Sequence, residues 1–260
     1  MIDTGQAVLH VEVDGDGEPV TVLAHGLTNS CRELAQLTPL IVGTTVRFCF
    51  RGHGHSGPAA VGSGYGFGDF ALDLDAVAKQ YGATRAIGTS LGAGAICRLL
   101  ETRPDRFERM VFLLPAGLDR PFRHKARFLR TAELLESLPR EEAIEAILAD
   151  PEREEVYARA PWVRDVDRIR WADVLDPAAL GPAIRQVIED TPVTDREVMR
   201  AVPAPVLILC REGDPIHPAE IGRVMADLLP NAELLTFADE VAMIQGLPEL
   251  VQKVNTFLGA

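Results

Sequence analysis

Ser90 is the residue of this chain best placed for covalent chemistry. It stands in Gly88-Thr89-Ser90-Leu91-Gly92, with a short apolar run before it and an Ala-rich helical pattern, Ala93 to Cys97, directly after. That is strand, sharp turn and helix with a serine at the apex. A residue pinned in such a turn has neighbours pressed so close that only glycine fits at positions 88 and 92. The hydroxyl then projects above the carboxyl end of a sheet. The Leu91 N–H lies at a helix N-terminus, where unpaired donors and the helix dipole favour a developing negative charge. This is equipment for attack on a carbonyl. A serine hydroxyl is a weak nucleophile without an adjacent base, so the next question is which residue takes its proton.

Asp214 follows the apolar strand pattern Pro205 to Cys210 and Gly213, and precedes Pro215. An Asx turn or helix cap is its ordinary use. Its place at the carboxyl end of a strand also suits a catalytic carboxylate. His217 lies three residues on in the same loop, and reads equally as base or as helix-entry residue. His25 follows the buried run Val20 to Ala24 and reads as a loop brace, while His53 and His55 sit in a Gly-rich turn, where bracing or facing solvent is the default.

These residues need a scaffold, and the patterning supplies one. Residues 8–13 alternate in period two and end in a Gly15-Asp16-Gly17 turn signal. Strands over 20–24 and 45–50 follow, with Ser30 capping a helix over 32–40 between them. The glycines at 62, 64, 66 and 68 lack the strand and spacing of a dinucleotide loop and read as a surface loop. A helix over 70–81, the elbow at Ser90, and a strand over 110–114 continue the alternation. From Asp119 to Val202 no strand pattern appears, only helical stretches broken by prolines. Strands resume at 205–210 and 233–237, before a terminal helix over 248–258. The expectation is an α/β fold with a mostly parallel central sheet flanked by helices. Residues 1–118 and 203–260 form its core, and a helical cap over 119–202 lies across the carboxyl ends of the strands.

Composition narrows the function classes. The 260 residues carry a formal charge of −12, which argues against nucleic acid or an anionic membrane as partner and leaves a small-molecule substrate. Cys31, Cys49, Cys97 and Cys210 are widely spaced, without a C-x-x-C, and read as buried free thiols of a cytoplasmic protein. The histidines and cysteines lack metal-ligand spacing, so neither a metal nor an organic cofactor is expected. No apolar run reaches membrane length, and the N-terminus is not a signal peptide.

Four segments in this order resemble the α/β-hydrolase family over nearly the whole chain outside the cap. They are His25-Gly26, Arg51-Gly52-His53-Gly54-His55-Ser56, the elbow at Ser90, and Gly213-Asp214-Pro215-Ile216-His217-Pro218. The resemblance implies Ser90 as nucleophile, Leu27 and Leu91 as oxyanion-hole N–H donors, and Asp214 as the acid that orients a histidine. It also implies a histidine after the last strand, about seven residues before the Pro-Glu that opens the final helix. Here that Pro-Glu is Pro248-Glu249 and the position is Val241; no histidine follows His217. Cys49 is a second departure, at a place where the family often has aspartate.

Three readings stay open. In the first, the chain hydrolyses a small ester, lactone or thioester with a displaced base, His217 or more weakly Glu240, beside pocket residues His25 and Gly26. In the second it is a non-hydrolytic enzyme (lyase, cyclase or epimerase) that uses the oxyanion hole without an acyl-enzyme. In the third it is a ligand-binding pseudoenzyme.

Overall fold

A computed structural model describes residues 1–122, 124–173 and 177–259. Its centre is a seven-stranded sheet in the order β3-β5-β4-β6-β7-β8-β9. The strands are β3 (Val11–Gly15), β4 (Val20–Ala24), β5 (Thr44–Phe48), β6 (Arg85–Thr89), β7 (Arg109–Leu113), β8 (Val206–Arg211) and β9 (Ala232–Phe237). Only β3 runs antiparallel, against β5; the other neighbours are parallel. Two short strands, β1 (Ile2–Asp3) and β2 (Val8–Leu9), form a separate antiparallel pair.

Strand periodicity sorts side chains into two cores. Val22, Ala86, Phe112 and Ile208 face one side, where α1 (Phe67–Gln80) and α2 (Leu91–Leu100) cover them. Leu23, Ile87, Val111 and Leu207 face the other, against the C-terminal helix α10 (Leu247–Gly259) and Leu34, Leu37 and Ile41. Strands buried on both faces read as continuous apolar runs because alternate residues enter different cores.

Between β7 and β8 the described residues hold helices and no strand: α3 (Lys125–Ser137), α4 (Arg140–Leu148), α5 (Glu154–Arg159), α6 (Trp162–Ala172) and α7 (Pro177–Val187). After β8 come α8 (Ala219–Leu228) and, between β9 and α10, the short α9 (Glu240–Gln245). Among the described residues no helix is long and apolar enough to cross a membrane.

Three local expectations change. The turn at residues 15–17 does not make a hairpin, because β5 lies between β3 and β4. All five residues of β4 are buried, which suits an interior strand, whereas β3 alternates and takes the edge. Residues 31–37 form tight i→i+3 turns rather than a helix. Their groups are used elsewhere: the Cys31 N–H donates to Cys49 Sγ, and the Glu33 carboxylate is drawn back to the Gly26 N–H. Helix α1 begins at Phe67, three residues early, since Asp69 in its first turn accepts from the Gly66 N–H.

Candidate active site

The chain moves outward from β4 to β5 and then returns to the opposite side of β4 with β6. A crevice opens at such a reversal, beyond the carboxyl ends of the two strands. Ser90 follows β6 there, and the segment from His25 follows β4.

Ser90 is held at φ 48°, ψ −102°, a conformation that L residues adopt only under tertiary constraint. Its N–H donates to the Leu113 carbonyl of the neighbouring strand, and its carbonyl accepts from the Gly94 N–H. Side chains at the flanking glycines have no room. A Cβ on Gly88 would lie 2.5 Å from the Ala93 nitrogen, and one on Gly92 would collide with the Ala24 carbonyl. Leu91, the first residue of α2, has an N–H with no acceptor inside its own helix.

The loop after β8 brings an imidazole within hydrogen-bond reach of Ser90. Ser90 Oγ lies 3.0 Å from His217 Nε2, and His217 Nδ1 lies 2.9 Å from Asp214 Oδ2. The hydroxyl thus donates to Nε2 while Nδ1–H donates to the carboxylate. Asp214 and His217 share one tight turn, in which Asp214 Oδ1 accepts from the Ile216 and His217 N–H groups at 2.9 and 3.0 Å. Burial raises the pKa of Asp214. Hydrogen bonds and charge from His217, with the Arg211 guanidinium, outweigh that and hold the carboxyl well below the usual range.

Val241, in the first turn of α9, carries no ionisable group. Asp239 caps this helix by accepting from the Ala242 N–H at 2.8 Å. Glu240 lines the same cavity but is turned to cations: Arg153 reaches both its oxygens, at 2.8 and 3.0 Å, and Arg211 stands 3.5 Å away. Its carboxylate is taken up by these arginines, whereas His217 is the residue hydrogen-bonded to Ser90 Oγ.

Gly26 and Leu27 line the cavity, as expected. His25 does not. It is buried behind the loop, donating from Nδ1 to the Gly26 carbonyl at 2.7 Å and accepting at Nε2 from the Phe50 N–H at 3.0 Å. Burial pushes its pKa down to about 3, so it stays neutral and braces. His53, also buried, donates to the Arg51 carbonyl, and His55 packs against His10 with the two rings tilted by 43°.

Several site residues escape the sequence reading. Glu33 accepts from the Gly26 N–H at 2.6 Å and from Asn29 Nδ2 at 2.7 Å, tying down the loop that carries Leu27. Burial raises its pKa against those bonds and the Arg170 charge. From α6, Arg170 donates to Thr28 Oγ1 at 3.3 Å. Only Arg211, a cation at a strand end three residues before an aspartate, left a signal in the sequence. The cavity over Ser90 has a volume of about 810 Å³ and includes Arg127, Arg153, Arg159, Arg170 and Arg211 in its wall.

One cluster of possible donors, which spacing along the chain does not reveal, forms in the fold. Donor atoms of His10, Glu12 and Cys31 lie within 4.8 Å of one another. The cluster is closed on itself: Glu12 accepts from His10 and Cys31 through one oxygen and pairs with Arg47 through the other at 2.9 Å. The neighbouring Cys49 sulfur and burial push the Cys31 thiol up, which keeps it protonated and a poor ligand.

Solved structures share the fold of this chain. The enol-lactonase of Burkholderia xenovorans LB400 is 19% identical, covers 99% of this chain and 98% of its own, and superposes with a TM-score of 0.80. An esterase of Exiguobacterium antarcticum is 15% identical over 99% of this chain and 97% of its own, with a TM-score of 0.78. MenH of S. aureus is 16% identical over 96% and 98%, with a TM-score of 0.76. At these identities the likeness is one of fold. The sequence profile described as "Alpha/beta hydrolase family" matches residues 21–241, which is most of the chain. The chain belongs to the alpha/beta hydrolase family.

Proposed function

We propose that this chain hydrolyses an ester, lactone or thioester through Ser90, with His217 as general base and Asp214 orienting it. One observation carries the reading: the continuous line Ser90 Oγ–His217 Nε2–Asp214 Oδ2, with separations of 3.0 and 2.9 Å. A base in hydrogen-bond reach of a serine, itself oriented by a buried acid, is what activates the hydroxyl. A lyase or receptor that needed only the oxyanion hole would have no use for it.

The steps follow from the atoms. His217 Nε2 takes the Ser90 proton as Oγ bonds to the carbonyl carbon, and the carbonyl oxygen becomes an oxyanion facing the N–H groups of Leu27 and Leu91. His217 returns the proton to the leaving oxygen or sulfur as that bond breaks, leaving an acyl-serine. Water, deprotonated by the same Nε2, releases the acid and restores Ser90. Asp214 stays ionised throughout and stabilises the imidazolium. The arginines and carboxylates of the cavity wall favour a polar acyl or leaving group over a long alkyl chain.

The test is intact-protein mass after exposure to a fluorophosphonate, alongside turnover of activated aryl esters and thioesters. One adduct per chain on the wild type, absent from Ser90→Ala and His217→Ala, supports the reading. A folded wild type that takes no adduct and turns over no ester refutes it. Val241→His restores the family's usual position and should add no activity, because Asp214 Oδ2 is already engaged.

A further inference from the structure

Arg211 lies at the end of β8, with its side chain 15% exposed. Its Nε donates to Asp214 Oδ2 at 2.7 Å, and its Nη2 lies 2.7 Å from the same oxygen. That oxygen also receives His217 Nδ1. The carboxylate therefore serves two ends at once, since Oδ1 caps its own turn while Oδ2 must hold the imidazole against Ser90. An acid and a base three residues apart leave little backbone to fix both side chains. The guanidinium supplies the missing constraint, because two N–H groups on one oxygen stop the carboxylate from rotating out of line.

Arg211 is held in turn from the segment after β9. Glu240 precedes the vacated position 241 and stands 3.5 Å from Arg211 Nη2, while its oxygens also receive Arg153, from between β7 and β8. Arg153 continues to Asp167 at 2.9 Å. Next to the position where the family resemblance places a histidine, this chain has a carboxylate that braces an arginine.

We infer that Arg211, anchored by Glu240, is a positioning residue that keeps Asp214 aligned on His217 and takes over the support that the segment after β9 would otherwise give. This inference rests on the proposed role of Ser90 and His217. Arg211 also shares the negative charge of Asp214 with His217. Removing the cation leaves that charge to the imidazole alone, so the protonated imidazole gains stability and a higher pH is needed to free the base. The charged groups facing this unit are Asp214, Glu240 and, beyond them, Arg153.

The experiment compares wild type, Arg211→Lys, Arg211→Met and Glu240→Gln by the rate of fluorophosphonate labelling and by kcat/KM for an aryl ester, both across the acid limb of the pH profile. Arg211→Met should lose about 10- to 100-fold at the plateau, as misalignment of a catalytic group does, and its acid limb should move to higher pH. Arg211→Lys keeps the charge without the fork, so its limb should stay at the wild-type pH with part of the plateau lost. Glu240→Gln should show a smaller loss and keeps the question testable if Arg211→Met does not fold. Wild-type rate and limb in a folded Arg211→Met protein overturn the inference. So do equal losses in the Lys and Met variants with an unmoved limb, which mark a structural role only. A wild type that takes no label at all overturns the proposed function instead, and His217→Ala in parallel tells the two failures apart.

Discussion

Two arginine–aspartate pairs in this chain use the same groups to opposite effect. Arg51, in the loop after β5, and Asp73, on α1, are fully buried and joined fork to fork by Nε–Oδ2 at 2.9 Å and Nη2–Oδ1 at 2.6 Å. Arg211 instead puts both its donors on one oxygen of Asp214 and leaves that oxygen to share with His217. At Asp73, burial outweighs the bonds and charge of Arg51 and raises the carboxyl pKa. At Asp214, on the cavity wall, His217 and Arg211 outweigh burial and lower it. At Asp73 one arginine takes both oxygens, and the pair joins the scaffold. At Asp214 the arginine takes one oxygen, which still accepts from a third group, His217.

The contrast can be broken at several points, and the largest effect belongs to the pair at Asp214. Asp214→Asn should cut ester turnover by about 10³–10⁴-fold, as loss of the orienting carboxylate does, with a modest change in the urea midpoint. Comparable activity in that variant would remove Asp214 from the site. Asp73→Ala should do the reverse, lowering unfolding free energy by about 3 kcal/mol because it takes from the buried Arg51 its fully buried partner and leaves only Asp69, at 3.3 Å, to balance the charge. The folded fraction should keep wild-type turnover, measured after correcting for active-site titre.

A second buried pair, His25 and His53, sharpens the distinction on the pH axis. Their rings lie 5.2 Å apart, and burial lowers their pKa values to about 3 and about 4. Such groups contribute stability that is complete above the unfolded pKa of 6.5 and is lost as pH falls toward the folded values. Urea titrations should show stability falling between about pH 6.5 and pH 4, by about 2–3 kcal/mol for each histidine. His53→Leu should flatten that slope, and an unchanged slope would show that His53 is already protonated in the fold. The smallest effect belongs to the exposed pair of Arg159 with Asp239, at 2.8 Å. Arg159→Met should change KM only slightly, and only at low ionic strength, because solvent screens such pairs.

Much of the site is legible because it is local in sequence. The elbow needs glycine at 88 and 92 whatever surrounds it, and the collisions at both positions bear that out. Asp214 and His217 stand in one loop, so their spacing can be read directly. What the spacing does not tell is whether His217 faces Ser90 or enters a helix, since that depends on how β8 sits beside β7 and β6. Glu33 is illegible for a related reason: its segment has a helical pattern, and its role depends on a return bond to the Gly26 N–H. The same holds for the hairpin expected at residues 15–17, where local turn chemistry is right and strand order is not.

By itself, the sequence determined the elements whose causes lie within a few residues: the apolar strand runs, the helical insertion, the strained serine turn and the absence of a histidine after β9. Tertiary structure alone decided which charges meet. It brought Arg153, from between β7 and β8, to Glu240, set Arg211 on Asp214, and closed His217 onto Ser90 across 127 positions of sequence. The physical reason is range. Backbone conformation is set by neighbours along the chain, whereas hydrogen bonds between side chains require contact within about 3 Å, and only the packed sheet brings those groups so close.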